Sequence, residues 1–426
     1  MRIVQVSVGS VRMPPKEGSA PLQVIFNISK QLAKMGHEVI ILDRKYSKND
    51  PPIETIDELK IVRLNSAQVG IPRSFRIPRF VRFVLAELNA LLFALKVSTY
   101  LKRNSGNIDV LHLNLTSLDI ILSISNTKLR GKMFYTSQVG HWTLASKGLN
   151  LFERIYLFLD SYLMRRVKRV IAVNESAKES FISIGKVKAE NVAVVPNGID
   201  TDFFNPSIDV EETAERYGIE GKMTVLFVGR LAEIKGVEYL VKAADIIVND
   251  LDRKDTLFLL VGPLKFDAVE KPINMEEMLG YIRQHQLESN LIFTGALPLE
   301  EVKRLYVASD IFVLPSLAEG DPLVVVEAMA SGTPIVGTKV GGIPQKVRDG
   351  WNGFLIDPEN ERQLADKIKY LIDNPEERKR MGVNSRRYAE EEFDWSKVAE
   401  RLSLVYQTNQ HITHQRANPN EETSTQ

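Results

Sequence analysis

The sequence contains no cysteine, which removes disulfides, thiol nucleophiles and cysteine-ligated metal from consideration. It is also short of net charge. Fifty-five Lys and Arg stand against 54 Asp and Glu, so a formal charge of +1 implies no polyanion partner, and no basic stripe joined to a recognisable reading module points to nucleic acid. Long apolar runs are missing too. The most apolar stretch, Phe83 to Val97, is interrupted by Glu87, Asn89 and Lys96. It falls short of the roughly 20 apolar residues that span a bilayer, so no membrane-crossing helix is expected. The first residues, MRIVQVSVGS, run straight into a strand pattern without a charged leader, apolar stretch and cleavage site in that order. With the missing cysteine, this leads to the expectation of a cytoplasmic protein.

What is present fits two cores. A chain of 426 residues, 44% hydrophobic and 26% charged, exceeds what one core usually serves. Short β-rich runs alternate with helical patterns, the signature of βαβ units on a parallel sheet. Strands are expected at Arg2 to Val8, His37 to Asp43, Ile108 to Leu113, Lys132 to Ser137, Arg169 to Val173 and Asn191 to Val195. A turn-rich stretch, PNGIDTDFFNP from Pro196 to Pro206, then interrupts the alternation. It restarts at Met223 to Val228 and continues near Leu257 to Val261, Leu291 to Thr294, Asp310 to Leu314, Pro334 to Gly337 and Gly353 to Ile356. A last apolar stripe, Trp395, Val398, Ala399, Leu402, Val405 and Tyr406, marks a final helix, and the polar tail after Thr408 has nothing to bury. The expected class is α/β, with two Rossmann-like doubly wound domains facing across a cleft: residues 1–200 and 201–390, a helix at 391–408 packing back on the first domain, and a disordered tail at 409–426. Such a cleft points to a nucleotide or phosphate ligand at strand C-terminal ends.

Two constellations could carry chemistry. In FVGRLAEIKGVEYLVKA a buried strand ends in Gly229, and Arg230 and Lys235 flank the loop that opens the next helix. Glycine lets the backbone approach, the helix start supplies N–H groups, and two cations could neutralise a diphosphate leaving group. The plain alternative is two surface cations around a turn. In LPSLAEGDPLVVVEAMASGTPIVGTKVGGIP, seven residues separate Glu319 from Glu327. Glu327 is the only carboxylate on an apolar helix beginning near Pro322, and a charge there needs a partner. Ribose hydroxyls and an internal salt bridge both qualify. Gly341 and Gly342 would let backbone amides approach an anion.

These residues resemble the retaining glycosyltransferases of family 4, which have the GT-B fold. The resemblance rests on the glutamate pair, the G-R-L-x-x-x-K-G segment from Gly229 to Gly236, the VPNGID linker and the FDWSKVAERLSLVY ending, and so covers nearly the whole chain. It implies that Arg230 and Lys235 bind the donor diphosphate, Glu327 binds the ribose hydroxyls and Glu319 contacts the transferred sugar. Backbone groups at Gly229, Gly320, Asp321, Leu323 and Val324 would touch sugar and phosphate, with Gly262 and Leu297 near the base. It also implies retention at the anomeric carbon, no cofactor and no metal. Two Asp-x-Asp patterns, Asp200 with Asp202 and Asp250 with Asp252, lie in the linker and in a charged helix end and are set aside as metal sites.

The N-terminal half departs from the family pattern. Gly18 fits the family's Gly-Gly pair but Ser19 takes the second place, keeping the amide while restricting φ. In FYTSQVGHWTL, Gln138 stands where the family usually has histidine; His141, three residues later, could substitute, and His112 is a further candidate. The expected partners are a nucleotide-sugar donor and a saccharide or lipid-linked acceptor. Arg73, Arg76, Arg79 and Arg82, recurring every three residues among apolar side chains, could meet an anionic membrane at its inner face, or form a solvated helix face. The competing function is a catalytically silent GT-B protein that binds nucleotide-sugar or a partner subunit. A sugar phosphorylase or a nucleotide-sugar epimerase would not call for the glutamate pair.

Overall fold

The computed structural model describes residues 1–7, 9, 11–15, 20–69, 79–114, 116–137, 151–264 and 271–408. Its first sheet has eight strands: β1 (Arg2–Val6), β2 (Glu38–Arg44), β3 (Ile53–Ile56), β4 (Leu59–Leu64), β5 (Val110–Leu113), β6 (Met133–Thr136), β7 (Arg169–Ala172) and β8 (Val192–Val194). Their order is β3-β4-β2-β1-β5-β6-β7-β8, all parallel except the β3–β4 pair. The second sheet contains β9 (Met223–Val228), β10 (Thr256–Val261), β11 (Leu291–Gly295), β12 (Ile311–Leu314), β13 (Ile335–Thr338) and β14 (Gly353–Ile356), in the order β11-β10-β9-β12-β13-β14. Strands covered on both faces read as apolar runs. β10, TLFLLV, is buried along its whole length and shows why the periodicity was legible.

Strands β3 and β4 were not expected from the sequence. They form an antiparallel hairpin in which Ile53 faces Val62, closed by Asp57 at φ +51°. β4, between β3 at the edge and β2, alternates buried and half-buried residues, LKIVRL, as a strand more closely covered on one face than on the other does. That alternation was the available signal.

Both chain crossings between the domains lie side by side. Ile199 in the first pairs with Asp394 in the second, with Ile199 N donating to Phe393 O at 2.7 Å and Trp395 N to Ile199 O at 3.0 Å. Gly198 lies under the Trp395 ring, where a Cβ would come within 2.4 Å of it. The last helix, Trp395–Gln407, then returns to the N-terminal domain. It buries Trp395, Val398, Ala399, Leu402 and Tyr406 against Leu22, Ile25 and Leu32 of the helix Ala20–Lys34. The expected crossing back is therefore observed.

The helix Arg79–Asn104 runs into a helical turn at Ser105–Asn107, and the stretch Val84–Asn107 is long and apolar enough, by length and composition, to cross a membrane, where the sequence led to no such expectation. Its inner face, Phe93, Ala94, Val97 and Leu101, is buried in the N-terminal core. Val84, Leu88, Leu91 and Leu95 on the other face are exposed.

Candidate donor site

In a doubly wound sheet the strand order reverses once, and loops leaving the two strands at that reversal open a crevice at their carboxyl ends. Here the reversal falls between β9 and β12, paired through Val225 with Ile311 and Leu226 with Phe312. The loop after β9 carries Gly229, Arg230 and Lys235, and the loop after β12 carries Ser316 and Glu319. Topology alone thus joins the two motifs.

Glycines let the loops close. Gly236, at φ +66° ahead of the helix Val237–Asp245, is so near Pro315 that a Cβ would sit 1.9 Å from its carbonyl oxygen. Leu317 N donates to Ile234 O at 2.8 Å. Lys235 Nζ then meets Glu319 Oε1 at 2.6 Å, and Ser316 Oγ donates to the same oxygen at 2.6 Å. Glu319 is only 7% exposed. Gly262, at φ +147°, has room for nothing larger, since a Cβ would lie 1.8 Å from Gly229 O. Its amide donates to Gly295 O at 2.9 Å, and Leu297 is half-buried two residues further on.

Glu327 lies on the helix Leu323–Ala330, whose N-cap is Pro322, one position before the first helical residue expected for it. Its partner is a tyrosine hydroxyl, not the cation of an internal salt bridge: buried Tyr306 donates to Glu327 Oε2 at 2.9 Å. Burial pushes the carboxyl up to about 7, and the Tyr306 bond works the other way. Glu327 Oε1, not engaged by Tyr306, can still accept from a ligand. Leu323 and Val324 are half-buried at the start of this helix.

The glycine pair has a packing task that the sequence did not show. Gly342 N already donates to Gly320 O at 2.8 Å, so that amide does not await an anion. Gly341, at φ +53°, would place a Cβ 1.9 Å from Glu319 O. The pair exists to let this turn press on the Glu319–Gly320 backbone. Asp321 was expected to meet the donor through its backbone, and its side chain has a task of its own. Its carboxylate is buried against Lys346 of the helix Ile343–Lys346, and its Oδ2 accepts from Asn197 N at 2.9 Å. Sequence reasoning missed Ser316, Tyr306, Lys346 and Asn174 because each acts through a long-range contact that no local motif announces.

Gly18, Ser19, Gln138, His141, Arg73 and Arg76 lie outside the described residues, as do the side chains of Arg79 and Arg82. His112 is buried in a network with Thr136 Oγ1, 2.7 Å from its Nε2, and Tyr406 OH, 2.5 Å from its Nδ1. Burial pushes its pKa down to about 3, so it stays neutral and ties the last helix to the sheet. Asp200 Oδ1 accepts from Asp202 N and Phe203 N, a turn within the linker, and Asp252 pairs with Lys254. Among the described residues no group of three His, Asp or Glu side chains is placed to hold a metal ion.

Fold and site together define a protein of the GT-B class. Residues 23–203 match the family described as Glycosyltransferase Family 4 and residues 209–388 match Glycosyl transferases group 1; the chain belongs to this glycosyltransferase family. It is 32% identical to Spore coat protein SA of Bacillus subtilis over 57% of this chain and 66% of that protein. It is 35% identical to D-inositol 3-phosphate glycosyltransferase of Corynebacterium diphtheriae over 51% of this chain and 50% of that protein. The chain thus spans half to about two thirds of these curated relatives. Its fold superposes on sucrose-phosphate synthase from Thermosynechococcus elongatus with a TM-score of 0.74 at 22% identity, covering 96% of this chain and 98% of that one.

Proposed function

We propose that this protein is a retaining glycosyltransferase that moves a sugar, of hexosyl type, from a nucleotide-diphosphate-sugar to an acceptor hydroxyl in glycan, polysaccharide or glycolipid synthesis. The carrying observation is the Lys235–Glu319 contact at the sheet's switch point, with Glu327 on the helix that follows. The acceptor oxygen attacks the anomeric carbon on the face from which the diphosphate leaves. The bond from that carbon to the phosphate oxygen breaks, and the acceptor's proton passes to the leaving phosphate. No strong protein base is needed. Charge growing on the diphosphate is met by Arg230 and Lys235, the large term in such a step, and the reading assigns it to them without a metal or cofactor. Glu319 holds the sugar and Glu327 the ribose.

The test is a panel of UDP-, GDP-, ADP- and TDP-sugars without acceptor, measuring free nucleotide against Glu319→Ala. Release from one donor, lost in the variant, is the expected result. Nucleotide binding without release from any donor, with or without saccharide acceptors, would sink the transferase reading in favour of a silent GT-B protein.

The Glu327 carboxyl gives a pH dependence. It acquires its charge only as pH rises through about 7, and ribose hydroxyls donate best to the charged form. Nucleoside diphosphate affinity should therefore rise between pH 6 and pH 8 more steeply in the wild type than in Glu327→Gln. Equal slopes by calorimetry would remove Glu327 from the ribose. A raised carboxyl binds its proton more readily folded than unfolded, so its contribution to stability is present at low pH and lost as pH rises from the ordinary carboxylate range to about 7.

We infer as a further partner an anionic membrane at the cytoplasmic face, presenting the cleft to a lipid-linked acceptor. Val84, Leu88, Leu91 and Leu95 are exposed, and so are Ile155 and Phe158 of the helix Leu151–Met164, Phe158 by 66%. Tyr156 OH donates to Glu87 Oε1 at 2.9 Å and links the two helices. Arg73, Arg76, Arg79 and Arg82 would supply charge, each about 1 kcal/mol near an anionic surface. Removing all four, or introducing Leu95→Asp with Phe158→Asp, should lower binding to phosphatidylglycerol vesicles at least about tenfold. Unchanged sedimentation would end the idea.

A further inference from the structure

The backbone just after Glu319 is gripped from the opposite domain. Asn174 follows β7 in the N-terminal domain and is wholly buried. Its Oδ1 accepts from Ala177 N at 2.7 Å and caps the helix Glu175–Ser183, while its Nδ2 donates to Gly320 O at 2.7 Å. The same carbonyl accepts from Gly342 N at 2.8 Å. One peptide oxygen therefore receives a donor from each domain. One residue further on, Asp321 takes the Asn197 amide of the first crossing at 2.9 Å and the Lys346 ammonium, which lies 5.5 Å from the centre of the Phe393 ring beside the second crossing. A Cβ at Gly342 would fall 3.1 Å from Asn174 Nδ2 and 2.8 Å from Asp321 Oδ1, so glycine leaves the space through which these groups meet.

We propose that Asn174 is a positioning residue for Glu319: by donating across the cleft to the Gly320 carbonyl it registers the 319–321 loop against the N-terminal domain. This rests on the reading that Glu319 holds the transferred sugar. The residue type follows from the double task. Capping needs a side-chain acceptor and the carbonyl needs a side-chain donor, and asparagine offers both on one short arm. A neutral hydrogen bond adds only about 1 kcal/mol net to stability, so its worth lies in geometry. With the acceptor on the N-terminal domain and the donor on the C-terminal one, a shift of about 1 Å between them can cost roughly 10²-fold in rate.

The variants are Asn174→Ser and Asn174→Asp. Serine keeps the cap and is too short for Gly320. Aspartate keeps the cap and turns an acceptor toward a carbonyl. Four quantities are read on the full chain: melting temperature, nucleoside diphosphate Kd, kcat and KM for donor turnover, and hydrogen exchange over residues 195–199 and 340–344. The expected pattern is nearly unchanged melting for Asn174→Ser, unchanged Kd, at least about tenfold faster exchange at 340–344 in both variants, and kcat lower by roughly 10- to 100-fold. Unchanged exchange overturns the proposal, and so does faster exchange with unchanged kcat. A fall in kcat that only follows lost folding or lost nucleotide binding does the same. Failure of the wild type to turn over any donor would count against the transferase reading, and the exchange arm would still decide whether Asn174 holds the loop.

Discussion

Lys235→Ala should lower donor turnover by roughly 10²- to 10³-fold, the cost of removing one preorganised group that meets developing charge. On the proposed function the lysine has two jobs. Its Nζ lies 2.6 Å from Glu319 Oε1 and neutralises a carboxylate that is almost wholly buried. With donor bound, the same ammonium can turn to the diphosphate as charge develops there. Alanine removes both functions. Glu319 keeps only Ser316 Oγ, so stability should fall by about 1–3 kcal/mol for the buried group left short of a partner. Adding Glu319→Gln should return most of that stability, because a neutral amide tolerates the missing cation, and should return none of the turnover. Thermal unfolding and single-turnover donor cleavage on the four proteins of this cycle separate the two roles. A Lys235→Ala protein that cleaves donor at the wild-type rate would show that the lysine serves the fold alone.

That cycle turns on a contact the sequence showed only as two separate motifs. Gly229, Arg230 and Lys235 stood out because a glycine and two cations after an apolar strand suit an anion, and Glu319 with Glu327 because carboxylates are rare on apolar elements. The strand order brings them together, and alternation of β and helical patterns made both doubly wound domains legible without fixing it. What stayed hidden had local patterns of other kinds. Tyr306 reads as one more core aromatic of the helix Leu299–Ala308, yet its hydroxyl is the partner of Glu327. Gly341 and Gly342 looked like an anion cradle because glycine before a helix has two uses, amide exposure and close backbone approach. The 1.9 Å that would separate a Gly341 Cβ from Glu319 O shows the second, and the Gly342 amide is already taken by Gly320 O. Lys346 sits in IPQK, where a lysine at a helix end reads as a solvated cation, and it is 1% exposed.

Lys346 and Asp321 carry the other large expectation. Each side chain is about 1% exposed, and each is the other's charge partner. Taking one away leaves a buried ion uncompensated, so Asp321→Ala or Lys346→Met alone should cost about 3–5 kcal/mol and lower the melting temperature by roughly 10 °C. Replacing both with apolar residues of similar size, Asp321→Leu with Lys346→Met, removes the desolvation problem along with the attraction, and such swaps are often neutral or stabilising. Here recovery should stop short of the wild type, because the Asn197 amide loses its acceptor at about 1–3 kcal/mol. The two readouts should then part company. The double variant should melt above either single variant, while donor turnover stays depressed, since the loop beside Glu319 has lost its tie to the first crossing. Recovery of both together would mean that the pair only fills its space, and that Gly320's two donors, Asn174 Nδ2 and Gly342 N, suffice to hold the loop.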